Sequence, residues 1–287
     1  LNKTKARAKV MSKTSFTIPK YTNASPSDNQ FGFAPPANDG ASKALNEEGQ
    51  MREGEDGAEK KEEEPETFIQ LVKKMDIDGV QARLEKRADQ AKETDGDDFS
   101  ALHWAALNGH RDMIELLVKN GAEVDAVNPR GEPAIFWAII KGHLSAVMKL
   151  IESGATAKQR DDKGYGIMHH AAQNGHIHLL AFFYGRNFGV DNVDKKGRTP
   201  LHWACYMGHD RVAEWLIRKG ADITRLDVEK CTPLHWAAIK GAHGACRALI
   251  RNGASNQLDW KDMTDKNPIE LAEEKSEKMS DKFNKMR

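Results

Sequence analysis

The chain is short of cysteine, of net charge and of long apolar runs, and each shortage removes a class of protein. Three cysteines among 287 residues are too few and too scattered for a disulfide framework or a four-ligand zinc site. They point instead to a reducing compartment, so a cytoplasmic location is expected. The 43 basic residues are balanced by 43 acidic ones, which leaves no bulk attraction to nucleic acid or to an anionic membrane. The longest unbroken apolar run, Ala134 to Ile140, has seven residues. A membrane-spanning helix needs roughly 20, so no span is expected. No secretory signal is expected either, because Leu1 to Lys20 lacks an apolar central run. Paired carboxylates, a nucleophile with its base and a phosphate loop are all missing in matching context. The chain as given is therefore not expected to be an enzyme or to hold a cofactor or metal. It begins at Leu1 rather than Met, as expected of a fragment or an incomplete gene.

Periodicity is missing from the N-terminal part. Residues 1–20 hold six basic residues and no acidic one, residues 21–46 are rich in Pro, Ser, Asn and Gly, and residues 47–66 hold ten acidic residues against three basic ones. Residues 1–64 accordingly read as a disordered tail, its acidic run a solvated linker.

What the sequence has is a ruler. Trp104, Trp137, Trp203 and Trp236 stand 33 residues apart or a multiple of 33, and the missing rung falls at His170. The two cleanest copies read Thr199-Pro200-Leu201-His202-Trp203-Ala204-Cys205 and Thr232-Pro233-Leu234-His235-Trp236-Ala237-Ala238. Turns such as Asn128-Pro129-Arg130-Gly131, Asp161-Asp162-Lys163-Gly164 and Asp194-Lys195-Lys196-Gly197 precede the copies. There Asp or Asn bonds its own backbone and Gly supplies a positive φ. Thr199 and Thr232 then cap a short helix with proline at its first position. That helix ends at Gly109, Gly142, Gly175, Gly208 or Gly241, and a second helix follows and ends at Gly121, Gly154, Gly220 or Gly253. Two apolar columns, Leu117, Leu150, Phe183, Leu216, Leu249 and Val118, Ile151, Tyr184, Ile217, Ile250, are expected to face neighbouring repeats, because one repeat cannot bury its apolar side alone. Asn187 and Phe188 replace the usual Gly-Ala pair, so an irregular loop is expected there.

The period of 33 and the T-P-L-H-x-A-A core resemble the ankyrin-repeat family over about Pro65 to Lys275. The fold class expected is all-α: a solenoid of helix-turn-helix repeats with β-turn fingers, five regular repeats and two caps. The boundaries are a capping repeat at 65–94, repeats at 95–127, 128–160, 161–193, 194–226 and 227–261, and a C-terminal cap and tail at 262–287. A narrower resemblance lies in Gly197 to Gly208, Cys231 to Gly241, Ala245-Cys246, Ala171 to Gly175 and Asn267 to Lys275. These stretches look like the cytosolic ankyrin domain of ankyrin-containing Asp-His-His-Cys palmitoyltransferases. That resemblance implies recruitment of protein substrates for an acyl transfer performed elsewhere. The chain itself has no Asp-His-His-Cys tetrad and no cysteine-rich zinc stretch.

Of the 11 histidines, eight fall into two structural columns. His103, His169, His202 and His235 fill the T-P-L-H slot, and His110, His143, His176 and His209 follow the glycine between the helices. The candidate site is the tryptophan slot with the residues three places on, which share its helix face. The pairs Trp104–Leu107, Trp137–Ile140, Trp203–Tyr206 and Trp236–Ile239 are apolar or aromatic, and His170–Gln173, with Asn174, is polar. Two readings stand side by side. In one, the large residues only pack against the next repeat. In the other, they line a concave groove for a protein or extended peptide, with His170, Gln173 and Asn174 bonding its backbone at the centre.

Overall fold

A computed structural model describes residues 66–274. The tail expected at 1–64 and the chain beyond 274 lie outside the described residues. Among these residues there is no strand, only the isolated bridges Thr94–Ser100 and Val127–Pro133. Helices come in antiparallel pairs: α1 (Phe68–Lys74) with α2 (Ile77–Lys86), α3 (Ala101–Leu107) with α4 (Arg111–Lys119), and α5 (Ala134–Lys141) with α6 (Leu144–Glu152). They continue with α7 (Ile167–Gln173) and α8 (Ile177–Tyr184), α9 (Pro200–Met207) and α10 (Asp210–Arg218), and α11 (Pro233–Lys240) and α12 (His243–Arg251). Residues 268–274 are again helical. First helices pack on first helices and second on second, so the all-helical solenoid expected from the period is what forms.

Each pair is set by its finger. The side chain of Asp194 accepts from Lys196 N at 2.8 Å and Arg198 N at 2.9 Å, and Asn128, Asp161 and Asp227 make the same two bonds. Gly197 closes the turn at φ 76°, a conformation that Lys230 adopts in the next finger at φ 58°. Single backbone bonds tie finger to finger: Asp162 N to Arg130 O at 3.1 Å, Lys195 N to Lys163 O at 3.1 Å, Val228 N to Lys196 O at 2.9 Å and Met263 N to Glu229 O at 3.0 Å. Pro129 occupies the donor position of its finger and has no N–H to give.

The core column is as expected: Leu117, Leu150, Phe183, Leu216 and Leu249 are each 0% exposed. The column beside it departs at one residue. Val118, Ile151, Ile217 and Ile250 are half-buried, but Tyr184 is 39% exposed. Its ring is longer than the Val or Ile that fills this slot elsewhere, and it lies against Trp215 with ring centres 5.7 Å apart. The loop at Asn187 is regular, contrary to expectation. Asn187 takes the left-handed φ of 63° that glycine supplies in other repeats, as asparagine tolerates. Phe188 N bonds Phe183 O at 3.2 Å, the counterpart of Ala122 N to Leu117 O at 3.0 Å.

Histidines stitch the repeats in both directions. In the T-P-L-H slot, Nδ1 of His202 accepts the N–H of the capping Thr199 at 3.1 Å, so histidine takes the return half of a capping box. Its Nε2–H donates to Cys231 O of the next repeat at 3.2 Å. His103 and His169 reach Glu132 O and Arg198 O in the same way, at 2.9 and 3.1 Å. His235 instead meets Trp260 O at 3.1 Å, a carbonyl two residues before the C-terminal finger's Asp262 rather than one at the finger's end. The other column points backwards: His143, His176 and His209 donate to Leu107 O, Ile140 O and Gln173 O at 3.1, 3.0 and 2.9 Å. Each ring lies over the glycine of the preceding repeat; a Cβ on Gly109 would meet His143 at 2.6 Å.

A forward ring needs Nδ1 as acceptor and Nε2–H as donor, so it must be neutral. Burial pushes His169 and His202 down to about 4 and lowers His103 and His235 as well. In the unfolded chain these rings titrate near about 6.5. Between the two values the unfolded state binds protons that the folded state refuses, so stability present above pH 6.5 is lost as pH falls toward about 4. Urea unfolding at pH 7, 5.5 and 4.5 should show stability dropping by up to about 1.4 kcal/mol per pH unit for each such histidine; a flat profile contradicts the neutral-ring stitch.

Candidate functional site

The tryptophans are not a semi-exposed stripe. Trp104, Trp137, Trp203 and Trp236 are only 7, 2, 3 and 6% exposed. Each indole is tied to its own finger. The Nε1–H donates to the finger carboxylate nine residues earlier: Trp104 to Asp95 at 2.9 Å, Trp203 to Asp194 at 3.3 Å and Trp236 to Asp227 at 3.0 Å. Where the finger residue is Asn128, its amide donates to the buried Glu132 at 2.8 Å, and Trp137 bonds that same carboxylate at 3.1 Å. Asparagine has removed the acceptor, and the glutamate four residues on supplies another.

His170 fills the place of the missing tryptophan. It is fully buried, its Nε2 is 3.3 Å from Asp161 Oδ2, and its ring lies 4.6 Å from that of Phe136. The polar centre expected at His170, Gln173 and Asn174 is thus mostly interior. Gln173 is 6% exposed. Asn174 is half-buried and spends its amide on His170 O at 2.8 Å. A helix wheel places these residues on the finger side correctly, but the finger folds over that side and covers them.

What reaches solvent is the column three residues on. Leu107 is buried at the edge, while Ile140, Tyr206 and Ile239 are half-buried and Met207 beside them is exposed. Tyr206 stands edge-on between two indoles, 6.0 Å from Trp203 and 5.0 Å from Trp236. Cations brace the floor beneath. Lys73 Nζ sits 3.9 Å over Trp104 and 3.2 Å from Asp95. Arg198 lies 4.5 Å over Trp203, bonded to Asp194 Oδ2 at 2.8 Å and to the hydroxyl of Tyr165 at 3.1 Å.

Reactive groups are held in their inert forms. Burial pushes the Cys231 thiol up to about 12, Cys246 to about 11, and raises Cys205, so none is a thiolate near neutrality. Burial also pushes Tyr165 up to about 12. Among the described residues, no group of three or more His, Cys, Asp or Glu side chains could hold a metal ion. The finger carboxylates Asp95, Asp194 and Asp227 escaped the reading of the helix face, although their signal, an acid nine residues before each of these tryptophans, is present in the sequence.

Known proteins match over the same span. The family model described as ankyrin repeats in three copies matches residues 66–161 and 135–227, and that of the single ankyrin repeat matches 229–262. The crystal structure of the human ASB11 ankyrin repeat domain is similar to this chain at a TM-score of 0.64 and 24% identity, covering 72% of this chain and 92% of that one. No curated protein matches.

Removing the indole donor while keeping a ring tests the finger bond. Trp236→Phe leaves the Asp227 carboxylate without that partner and should cost about 1–3 kcal/mol in urea unfolding; Trp236→Ala should cost more, about 3–5 kcal/mol.

Proposed function

This chain belongs to the ankyrin-repeat family, and from that premise we propose that it is a protein-binding adaptor module whose partner lies as an extended segment along the concave finger side. The observation that carries this reading is the column Ile140, Tyr206 and Ile239, half-buried, with Asn174 and Met207 beside it. Together these offer apolar contact and an amide edge on a floor already fixed by the tryptophan bonds. Such a floor costs little ordering on binding, and an aromatic anchor such as Tyr206 suits an energetic centre. The tryptophans and His170 shape this face from beneath, and Leu107 and Gln173 bound it.

The test uses Tyr206→Ala combined with Ile239→Ala, against partners captured by the wild-type chain. Calorimetry should show binding weakened at least about tenfold, since two truncated contact side chains of this kind exceed about 1.4 kcal/mol. The unfolding midpoint should shift little. Undiminished affinity rules this face out as the contact. Trp203→Ala is the poorer probe, because truncating a buried tryptophan unfolds as readily as it unbinds.

A narrower reading rests on the motif resemblance alone: the module recruits substrates, on the cytoplasmic side, for a membrane protein S-palmitoyltransferase. Among the described residues no helix is long and apolar enough to cross a membrane, so the acyl transfer would belong to another part of a longer protein. Reading the coding sequence beyond Arg287 decides. Several apolar runs of about 20 residues with an Asp-His-His-Cys segment establish the enzyme link; a stop codon ends it for this product.

A further inference from the structure

The second helix of the third repeat breaks the pattern of its row. Helix α8 contains no Asp, Glu, Lys or Arg, whereas α4, α6, α10 and α12 each carry two or more. Its exposed positions are His178, Ala181 and Tyr184, with Phe182 half-buried. One repeat on, Trp215 occupies the slot of Phe182, and it packs on Tyr184. Among the five regular repeats, the slot at the end of the second helix is basic in these two: Arg186 and Lys219 stand where Asn120, Ser153 and Asn252 stand elsewhere. Both cations lie on the rings, Arg186 at 3.6 Å over Phe182, and Lys219 at 5.1 Å over Tyr184 and 5.8 Å over Trp215.

We infer that this outward face, centred on Tyr184 and Trp215, docks on an anionic lipid bilayer surface. It lies on the second-helix row, away from the finger side, and owes nothing to the binding proposed there. Tyrosine and tryptophan, each an apolar body with a polar tip, are the side chains that settle at headgroup level. Basic residues beside them add attraction to an anionic leaflet. The chain's zero net charge gives no such attraction in bulk, so it has to be local, and here it is. Glu152 is paired with Arg111, and Glu115 with Lys119 and Lys149. On and just past the two helices, Arg186, Arg211, Arg218 and Lys219 stand against Asp210 and Glu214. A second copy of the chain fits poorly, since a two-fold contact would set like charges against each other. A protein interface fits less well too, because its core is depleted of lysine and Lys219 sits among the rings.

The experiment is co-sedimentation of the full chain with vesicles of phosphatidylcholine alone, or with about a third phosphatidylserine, at low and high salt. The wild type should bind the anionic vesicles, more weakly as salt rises, and scarcely the neutral ones. Arg186→Glu with Lys219→Glu should weaken that binding at least about tenfold, and Tyr184→Ser should weaken it without changing its salt slope. These positions are exposed, and an unchanged thermal midpoint verifies that the variants fold. The Tyr206→Ala, Ile239→Ala variant should bind vesicles like the wild type, which keeps this result separate from the fate of the finger-side reading. No binding to anionic vesicles overturns the inference. So does undiminished binding by the charge-reversed variant, which would assign it to the basic residues 1–20. Retention on immobilised polyglutamate without vesicle binding overturns it in favour of an acidic protein.

Discussion

A neutral imidazole held between two backbone groups is the interaction on which the stack depends. One nitrogen receives the N–H that opens its own helix, and the other gives its proton to a carbonyl of the following repeat, as His202 does between Thr199 and Cys231. Helix start and repeat spacing are thereby fixed by one ring. Glutamate or glutamine in this slot would complete the cap but, with a shorter reach and no second nitrogen opposite the first, would leave the next finger's carbonyl unmet. The backward-pointing rings over Gly109, Gly142 and Gly175 complement this. They demand a residue without a side chain where the chain also needs a positive φ, so two independent constraints select the same glycine.

The second organising bond is that of the tryptophan to its finger. It turns the largest side chains of the first helices into structure and leaves the half-buried Ile140, Tyr206 and Ile239 above them. That division explains why the face is both rigid and modest in exposed area. The finger is held at its base by the indole, at its neighbour by a backbone bond, and at its turn by the carboxylate's two N–H partners. Any segment lying along it meets a surface with little freedom left to lose.

Much of this was legible from the residues. The period, the helix pairs, the core column and the histidine scaffold follow because each repeat can bury its apolar side only on its neighbours, so the same slot must be filled alike each time. Three things were not legible, for physical reasons. A helix wheel knows nothing of the finger folding back over it, so it left both packing and groove-lining open for Trp203, which is 3% exposed. His170 looked like a gap because the tryptophan's partner, a carboxylate nine residues earlier, belongs to a different element; Asp161 stands at that spacing, 3.3 Å from the histidine ring. Asn187 looked like a defect because glycine was expected, yet asparagine enters the left-handed region at little cost and the loop closes normally.

Pro129 carries a consequence beyond its own turn. A stack of this kind behaves as a one-dimensional chain of units coupled only to their nearest neighbours. Removing one coupling bond lowers cooperativity at that junction and nowhere else. The fingers from Arg130 to Met263 are linked in series, but the link toward the first finger is absent for want of an N–H. The first finger and the N-terminal units behind it are therefore joined to the rest by side chains alone at this level, through His103 to Glu132 O and His143 to Leu107 O, so these two rings bear the coupling that a backbone bond shares at the later junctions.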